Sequence, residues 1–307
     1  MEINQKRLHI YVLSWNQADI TVGCVRSLVN LLSPIPYNIF IIDNGSIDNS
    51  VEIFNQTFPD IEVLQTGENL GYQGGMNVGI QHGLNSKIDY LLLLNNDTIA
   101  DSAMLTELFR LFPEDADLVS PGIYLADKKD KLCSFGGNFN PVFLEVMRSP
   151  RAEYEPPANI VEFEFLPSHA WLIKSSVFEK IGLFDCDFFP IYYDDLDFCL
   201  RMYRVGYKLY LIPQAKIYHL GSMSVGGKNS PKERYLMARN SGHYFRKNMN
   251  FWQAPPIFLF RLGSGMIWTF RLLFQNNLDA IAMFWKGFVE GWFKPLPSKK
   301  DGAETDL

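Results

Sequence analysis

Short apolar runs alternate with segments of helical periodicity along most of the chain. Runs rich in β-branched, aromatic and leucine residues predict strands at residues 9–13, 39–42, 61–64, 90–94 and 209–212. Apolar positions three and four residues apart predict helices at residues 19–32, 50–58, 100–112, 170–181 and 196–205. Because strands that alternate with helices form βαβ units, the pattern predicts an α/β fold: a Rossmann-like mixed, mostly parallel sheet sandwiched by helices.

The remaining segments indicate how the chain is divided. Residues 149–164 are rich in proline and charge, and they predict a loop at the edge of the fold. Residues 1–250 form the predicted main domain. They are followed by an apolar helical appendage at residues 251–294 and a polar, disordered tail at residues 295–307.

The end of the appendage has the pattern of an amphipathic helix. Its apolar positions recur at helical spacing and are Leu278, Ile281, Ala282, Trp285, Phe288, Val289 and Trp292. Charged residues occupy the other face of this helix. Two interpretations remain open: the helix binds a membrane surface, or it packs against the rest of the protein or across a homodimer interface.

The preceding segment is equally apolar but is interrupted. Arg261, Arg271 and the Gly-Ser-Gly at residues 263–265 divide residues 257–274 into shorter apolar runs. Since no run of 18 uninterrupted apolar residues occurs anywhere in the chain, the sequence predicts no transmembrane helix.

Composition limits the class of protein. Of the 307 residues, 47% are hydrophobic and 20% are charged, which is typical of a folded globular protein. The net charge of −6 argues against nucleic acid as a partner, because nucleic-acid-binding domains are usually basic. The four cysteines show no metal-binding spacing, and residues 1–7 lack a signal peptide's apolar region, so we expect reduced thiols in a cytoplasmic protein.

Polar side chains follow two of the predicted strands at the point where each strand ends. Asp43 follows the second strand, and Asn95, Asn96 and Asp97 follow the fourth. In open α/β sheets, ligands bind beyond the carboxyl ends of the strands. There, Asp97 can hold a divalent cation and Asp43 can accept a hydrogen bond from an N–H of a nucleotide base. The alternative is local: Asp43 stabilises a turn, and Asp97 caps the next predicted helix.

A glycine-rich loop at residues 69–79 leads into a further predicted helix. Gly71, Gly74 and Gly75 would allow backbone N–H groups to approach a phosphate at the start of that helix. An ordinary turn is the alternative. The loop lacks the Gly-Lys-Ser/Thr of a Walker A motif, and no GxGxxG follows the first strand, which disfavours a dinucleotide-binding oxidoreductase.

Three aspartates surround the start of the helix predicted at residues 196–205. Asp195 would lie near the helix N-terminus, where the helix dipole favours an ionised carboxylate that can act as a general base. Asp197 and Arg201 are four residues apart and can form an ion pair on one helix face. Capping and a surface ion pair are the alternative to a catalytic role. His219, after the last predicted strand, is either a metal ligand or a buried core residue.

Taken in order, these motifs resemble family 2 glycosyltransferases with the glycosyltransferase A fold, over roughly residues 8–250. The matching segments are residues 11–16, 42–46, 69–79, 94–98, 181–185 and 192–201, followed by His219 and Arg239-Asn240. The resemblance is greatest to the rhamnosyltransferase-like branch that builds bacterial surface polysaccharides.

This resemblance implies roles for individual residues. Asp195 would be the catalytic base, and Asp97 with His219 would hold Mg²⁺ or Mn²⁺. Donor-binding residues would be Ser14, Asn16, Asp43, Asn44, Gly71, Gly75, Asn77, Asn95 and Asn96. Residues on the acceptor side, or supporting the site, would be His169, Trp171, Asp194, Asp197, Arg201 and Arg239. Two positions depart from the family pattern, because Asn95 replaces the first carboxylate of a DXD motif and His169 replaces a small glycine.

The activity implied is inverting, metal-dependent transfer of rhamnose or a similar hexose from a dTDP or UDP donor. The acceptor would be a hydroxyl of a glycan or lipid-linked saccharide in bacterial cell-surface polysaccharide synthesis. The chain would work in the cytoplasm or at the cytoplasmic face of the inner membrane. The alternative is an inactive sugar-binding or scaffold subunit of a polysaccharide assembly complex, which the presence of Asp97, Asp195 and His219 disfavours.

Overall fold

The computed structural model describes residues 6–147, 154–221, 227 and 229–295. Its first elements are β1 (Leu8–Ser14), α1 (Ala18–Leu28), β2 (Tyr37–Asp43), α2 (Ser50–Thr57), β3 (Glu62–Gln65), α3 (Gly71–Asn85), β4 (Tyr90–Asn95), β5 (Thr98–Ala100), α4 (Met104–Arg110) and β6 (Leu118–Leu125). They are followed by β7 (Asn138–Phe139), β8 (Val146–Met147), β9 (Val161–Phe163), β10 (Ala170–Lys174), α5 (Ser175–Ile181), a 3₁₀ turn (Cys186–Phe188), α6 (Asp194–Val205), β11 (Leu209–His219), α7 (Pro231–Asn248), α8 (Ala254–Phe274) and α9 (Leu278–Phe293).

Nine of the described strands form one sheet, in the order β3-β2-β1-β4-β10-β6-β11-β5, with β9 also paired to β11. Strands β3, β2, β1 and β4 are mutually parallel, and β6 is parallel to β11. Strand β10 runs antiparallel to both β4 and β6, and β5 and β9 run antiparallel to β11. The sheet is therefore mixed and mostly parallel, as the sequence predicts.

The central strands are buried on both faces. Along β4, Leu91 and Leu93 pack with the helices α3, α5 and α6 and the C-terminal helices, whereas Leu92 and Leu94 pack with α1, α2 and α4. Because side chains alternate across a strand, an unbroken leucine run supplies both faces of a sheet that is covered on each side. The predicted sandwich of helices about the sheet is confirmed.

The helix predicted at residues 170–181 is wrong over its first five residues. Residues 170–174 form β10, which pairs with β4 and is almost wholly buried. Only residues 175–181 are helical. A short run such as Ala-Trp-Leu-Ile fits a buried helix or a buried strand equally well by periodicity, and the pairing with β4 decides between them.

Three other segments differ from the prediction. The helix predicted at residues 100–112 is shortened to α4, because β5 precedes it and pairs with the end of β11. The glycines expected in a loop at residues 69–79 lie mostly inside α3. The loop expected at residues 149–164 contains β9, and its residues 149–153 lie outside the described residues, as do residues 296–307 of the predicted tail.

The appendage consists of two helices that differ in their environment. Helix α9 packs closely against α7, since a Cβ atom at Gly287 or Gly291 would collide with backbone atoms of Tyr235 or Arg239. Phe288 and Trp292 of the predicted apolar face are buried, whereas Leu278 and Val289 of that face remain exposed. Helix α8 runs without a break through the Gly-Ser-Gly segment. In contrast to the prediction, α8 is long and apolar enough to cross a membrane, judged by length and composition alone.

Candidate active site

The carboxyl ends of β1 and β2 place Ser14 and Asp43 side by side, because these two residues are partners in the strand register. The Asp43 side chain is buried, and its Oδ2 accepts a hydrogen bond from the Ser46 N–H at 3.2 Å. The turn predicted for Asp43 is thus present. Its Oδ1, however, is buried without a hydrogen-bond partner among the described residues. Asp43 therefore combines a local structural role with an acceptor that is free for a ligand.

A small polar network supports this end of the sheet from α1. The buried Thr21 hydroxyl hydrogen-bonds to the Ser14 hydroxyl at 2.8 Å and accepts a bond from the Asn96 side chain at 2.9 Å. Asn16 ties the adjoining loops together, since its Oδ1 accepts a bond from the Ile47 N–H. Thr21 was not among the predicted site residues. The sequence signal that could have identified it is a polar residue within the apolar stripe of α1.

Asp97 and His219 are brought into contact by the pairing of β5 with β11. The Asp97 Oδ2 lies 3.1 Å from the His219 Nε2, and the Asp97 side chain is almost fully buried. The Nδ1 of His219 accepts a hydrogen bond from the Gly221 N–H at 3.1 Å. Since a neutral imidazole carries one proton, that proton then lies on Nε2 and points to Asp97. Helix α4 begins seven residues after Asp97, so Asp97 does not cap it.

The chemistry around Asp97 fits a divalent cation. Asn95 contributes a buried Oδ1 that has no hydrogen-bond partner among the described residues. The ring of His169 packs edge-on against that of His219, with centroids 5.0 Å apart. A carboxylate, an amide oxygen and an imidazole nitrogen are suitable ligands for Mg²⁺ or Mn²⁺.

A second carboxylate and histidine cluster lies elsewhere, at Asp185, Asp187 and His243. Here the Lys247 ammonium is 2.7 Å from the Asp185 carboxylate. Although burial opposes ionisation, hydrogen bonds from His243 and Lys247 hold the pKa of Asp185 well below its usual range. Because Lys247 already neutralises Asp185, this cluster is a poorer site for a cation than Asp97 and its neighbours.

The glycines at the start of α3 serve close packing. Gly71 has a φ of +70°, and a Cβ there would meet Phe189 and Pro190. A Cβ at Gly75 would meet the side chains of Leu13 and Asn44. Both glycines thus lie against protein on the side that a Cβ would occupy, and donor binding by Gly71 and Gly75 stays a prediction.

The backbone N–H groups beside these glycines are also in use. The N–H groups of Leu70, Gly71 and Tyr72 donate to Asn44 Oδ1, to Asn69 Oδ1 and to the Pro190 carbonyl, respectively. The predicted phosphate-binding role of this segment is therefore not supported at residues 70–72. Asn44 serves the same junction, since its side chain also donates to the Gly71 carbonyl.

Asn77 joins two parts of the fold, and its donor-binding role stays a prediction. Its side-chain amide donates to the Phe184 carbonyl at 2.9 Å and accepts from the Phe184 N–H at 3.0 Å. These bonds join α3 to the loop that follows α5. Gln73, which the sequence analysis missed, lies one turn earlier and carries a buried Oε1 without a partner among the described residues.

The loop that leads into α6, whose first two residues are Asp194 and Asp195, has a strained backbone at Tyr192 and Tyr193. Tyr192 and Tyr193 have φ values of 80° and 70°, which are uncommon for side chains of this size. Asn240 of α7 stabilises the loop by donating to three of its carbonyls, including those of Phe188 and Tyr192. Strain of this kind is found at functional sites, where the surrounding structure offsets it.

The carboxyl groups of Asp194 and Asp195, at the start of α6, have different environments. Asp194 is buried, and burial together with the adjacent charge of Asp195 raises the pKa of Asp194 well above its usual range. Asp195 is only partly buried, and its Oδ1 accepts a bond from the Leu196 N–H at 2.8 Å. The pair is thus expected to hold one proton on Asp194, with the negative charge on Asp195.

Three of the residues predicted to lie on the acceptor side or to support the site make contacts that fit the supporting role. Trp171 is fully buried, and its Nε1 donates to the Pro167 carbonyl. The fully buried Asp197 carboxylate pairs with Arg201 and Lys247, each at 2.9 Å. Arg201 also donates to the Ile181 and Leu183 carbonyls. These contacts give Trp171, Asp197 and Arg201 a supporting role. Because Trp171 and Asp197 are fully buried, they expose no surface to an acceptor.

Arg239 lies close to the strained loop. Its guanidinium donates to the Phe189 carbonyl and to the Asn240 side chain. His169 lies beside the Asp97 and His219 pair, and its carbonyl accepts a hydrogen bond from the Asn95 N–H at 3.0 Å. His169 is therefore close to the proposed metal ligands, and Arg239 is close to the loop that precedes α6.

Comparison with known proteins places the chain in a family. The sequence matches the model of "Glycosyl transferase family 2" over residues 10–182, more than half of its length. A dTDP-rhamnosyl transferase RfbF of Shigella flexneri is 36% identical over 88 residues, which cover 26% of this chain and 29% of that protein. An N-acetylglucosaminyl-diphospho-decaprenol L-rhamnosyltransferase of Mycobacterium tuberculosis is 24% identical over 256 residues, covering 74% of this chain and 80% of that protein.

Solved structures share the architecture. GalNAc-T7 with UDP, GalNAc and Mn²⁺ superposes with a TM-score of 0.61 at 13% sequence identity, covering 82% of this chain and 50% of that one. The likeness shows the glycosyltransferase A fold. The chain thus spans 29% of the first relative's length and 50% of the GalNAc-T7 chain. On the match over residues 10–182, the chain belongs to glycosyl transferase family 2.

Proposed function

We propose that this chain is an inverting, metal-dependent glycosyltransferase that moves a sugar from a nucleoside diphosphate to a hydroxyl group. One observation carries the proposal: buried oxygen atoms of Asp43, Asn95 and Gln73 lack hydrogen-bond partners among the described residues. Leaving such an acceptor unpaired costs about 1–3 kcal/mol. Base N–H groups, sugar hydroxyls and a divalent cation are the groups that would satisfy these oxygens.

In the proposed reaction, Asp195 takes the proton from the attacking hydroxyl. The neighbouring Asp194 retains its own proton because it is buried beside Asp195, so Asp195 carries the charge that a general base needs. The hydroxyl attacks the anomeric carbon from the side opposite the diphosphate. This inverts the configuration and needs no covalent intermediate on the enzyme.

Asp97, His219 and Asn95 are the residues that would hold Mg²⁺ or Mn²⁺. A cation bound there would stabilise the negative charge that develops on the departing diphosphate. His219 could bind through Nε2 only with its proton on Nδ1, which requires the Gly221 N–H to release Nδ1. The Asp97 carboxylate can bind without such a change.

The identity of the substrates is proposed from the relatives. Their names support a rhamnosyl donor carried by dTDP and an acceptor saccharide linked through diphosphate to a polyprenol lipid. A UDP-linked donor is the alternative that the sequence resemblance leaves open. Rhamnose or a similar hexose would then be added to a lipid-linked precursor of a cell-surface polysaccharide. Such an acceptor would bring the chain to the cytoplasmic face of the membrane.

The proposal is tested with a panel of UDP- and dTDP-sugars, each with Mg²⁺ or Mn²⁺, scored for slow donor hydrolysis and for thermal shift. We expect metal-dependent release of UDP or dTDP from one donor. The Asp97→Ala variant should lose this release by at least about 100-fold, because it lacks the charged ligand. Asp187→Ala, which removes an exposed carboxylate of the second cluster, is the matched control and should retain it. Equal loss in both variants, or release without metal, would contradict the proposal.

A further inference from the structure

Helix α8 has an outward face that is wholly apolar. At 100° per residue, its exposed apolar side chains fall within an arc of about 140°. We call this face the outer stripe, and its members are Leu259, Phe260, Met266, Ile267, Phe270, Leu273 and Phe274. We propose that the outer stripe docks on the surface of an anionic lipid bilayer. This inference extends the lipid-linked acceptor proposed above, but it can be tested without turnover.

The opposite face of α8 is attached to the protein along the whole helix. Ile257 near the start and Leu272 near the end are buried, and Gly265 in the middle lies against the ring of Phe284. Between Ile257 and Gly265, Arg261 forms an ion pair with Glu145 at 2.7 Å. A helix held along one side over about 31 Å cannot cross a bilayer alone, so α8 would lie parallel to the surface with only the outer stripe inserted.

The charges near α8 favour an anionic surface as the occupant. Between Glu233 and Asp279 the sequence contains six Arg and Lys residues and no acidic residue. Arg234, Lys247 and Arg261 are engaged in ion pairs within the protein, whereas Arg246 and Arg271, the latter at the edge of the outer stripe, are exposed. Basic residues that flank an apolar stripe are typical of helices that lie in a membrane interface.

Aromatic residues extend the apolar surface at both ends of α8. Phe251 and Trp252, just before the helix, are 81% and 83% exposed, and Phe274 at its last position is 90% exposed. Contiguous apolar patches of this kind are uncommon on proteins that remain free in water. Tryptophan and phenylalanine side chains are favoured at the boundary between lipid headgroups and acyl chains.

The test is flotation of the full chain with vesicles of phosphatidylcholine alone or mixed with phosphatidylglycerol. We expect the wild type to float with the anionic vesicles, and the triple variant Phe260→Glu, Ile267→Glu, Phe270→Glu to lose at least about ten-fold of the bound fraction. Leu32→Glu changes an exposed leucine beside α1, on the other side of the sheet, and is the matched control that should float like the wild type.

Two further measurements accompany the flotation. Donor hydrolysis should be unchanged in the triple variant, which separates a failure of docking from a failure of the proposed function. Light scattering determines whether the outer stripe pairs with a second copy of the chain. Flotation of the triple variant at the wild-type level would overturn the proposal. A wild-type dimer that does not float, and that the triple variant converts to monomers, would overturn it as well.

Discussion

At the scale of single residues, Asp194 and Asp195 illustrate how neighbouring carboxyl groups acquire different chemistry. The backbone turns sharply at Tyr192 and Tyr193, so that α6 begins with one carboxyl group buried and the next partly exposed. Burial favours the neutral form of Asp194, and two negative charges so close together would repel. A single proton on the buried member relieves both effects.

This arrangement predicts unequal effects of the same substitution at the two positions. Asp195→Asn should lower the rate of donor hydrolysis by about 10²–10⁴-fold, because the general base is lost. Asp194→Asn should change that rate by only a few-fold, since an amide resembles a protonated carboxyl group in shape and can also donate a hydrogen bond. The rates would be measured with the donor identified in the panel.

Donor binding measured by calorimetry on both variants shows whether the site is intact. The stability of Asp194→Asn gives an independent check. With its pKa raised by burial, Asp194 makes the wild type lose stability as pH rises above the unfolded value near 3.9. The variant lacks this loss and should be the more stable protein at neutral pH. Equal loss of activity in both variants would exclude a division of roles.

At the scale of secondary-structure elements, one side chain connects α8 to the loop before α6. The Arg261 guanidinium donates to Glu145 at 2.7 Å and to the Ser241 hydroxyl at 3.1 Å, and it also interacts with Tyr193. Tyr193 directly precedes Asp194. Arg261 thus links α8 to Tyr193, the residue just before α6, which carries the proposed base.

Removing this contact should destabilise the protein. We expect Arg261→Met to lower the free energy of unfolding by about 1–3 kcal/mol, because it leaves the partly buried Glu145 carboxylate without its partner. Urea denaturation would measure the change. Adding Glu145→Gln to this variant should recover part of the loss, since it removes the orphaned charge. Arg271→Met, on the exposed side of the same helix, should have little effect, and an equal loss there would refute the explanation.

At the scale of the whole molecule, the sequence predicts features that depend on a local pattern of residues. It does not predict contacts that depend on the pairing of distant strands. The apolar strands β1, β2 and β4, and the polar residues that end β2 and β4, were predicted correctly, because each pattern is complete within a short segment. The contact of Asp97 with His219 depends on β5 pairing with β11, which no spacing reveals. The strand β10 was mistaken for helix for the same reason.

Long-range packing also determines which faces of the apolar C-terminal helices are buried and which are exposed. Both α8 and α9 were predicted to be apolar helices, but periodicity does not say which face finds a partner. Glycines at positions 287 and 291 allow α9 to approach the backbone of α7 closely, so the side of α9 that carries them is covered, although Leu278 and Val289 remain exposed. The outer stripe of α8 has no such neighbour among the described residues. The longer continuous apolar surface therefore lies on α8, although the sequence pattern pointed first to α9.

A buried histidine, His9, should make the stability of the whole fold depend on pH in acid. At the end of the sheet opposite the candidate site, His9 is buried with its Nδ1 3.1 Å from the Tyr11 hydroxyl, which also contacts His82 at 2.9 Å. Burial, aided by the nearby His82 and Arg7, lowers the pKa of His9 from 6.5 to about 4. Between pH 6.5 and about 4, His9 is therefore protonated in the unfolded chain but neutral in the folded protein.

Stability should therefore fall as pH drops from 6.5 towards 4, by at most about 1.4 kcal/mol per pH unit from this one group. Urea denaturation across that range would measure the slope for the wild type and for His9→Phe, which fills the same space among aromatic rings without titrating. Other groups titrate in both proteins, so the difference between the two slopes isolates His9. Parallel slopes would mean that His9 becomes protonated in the folded state as readily as in the unfolded chain.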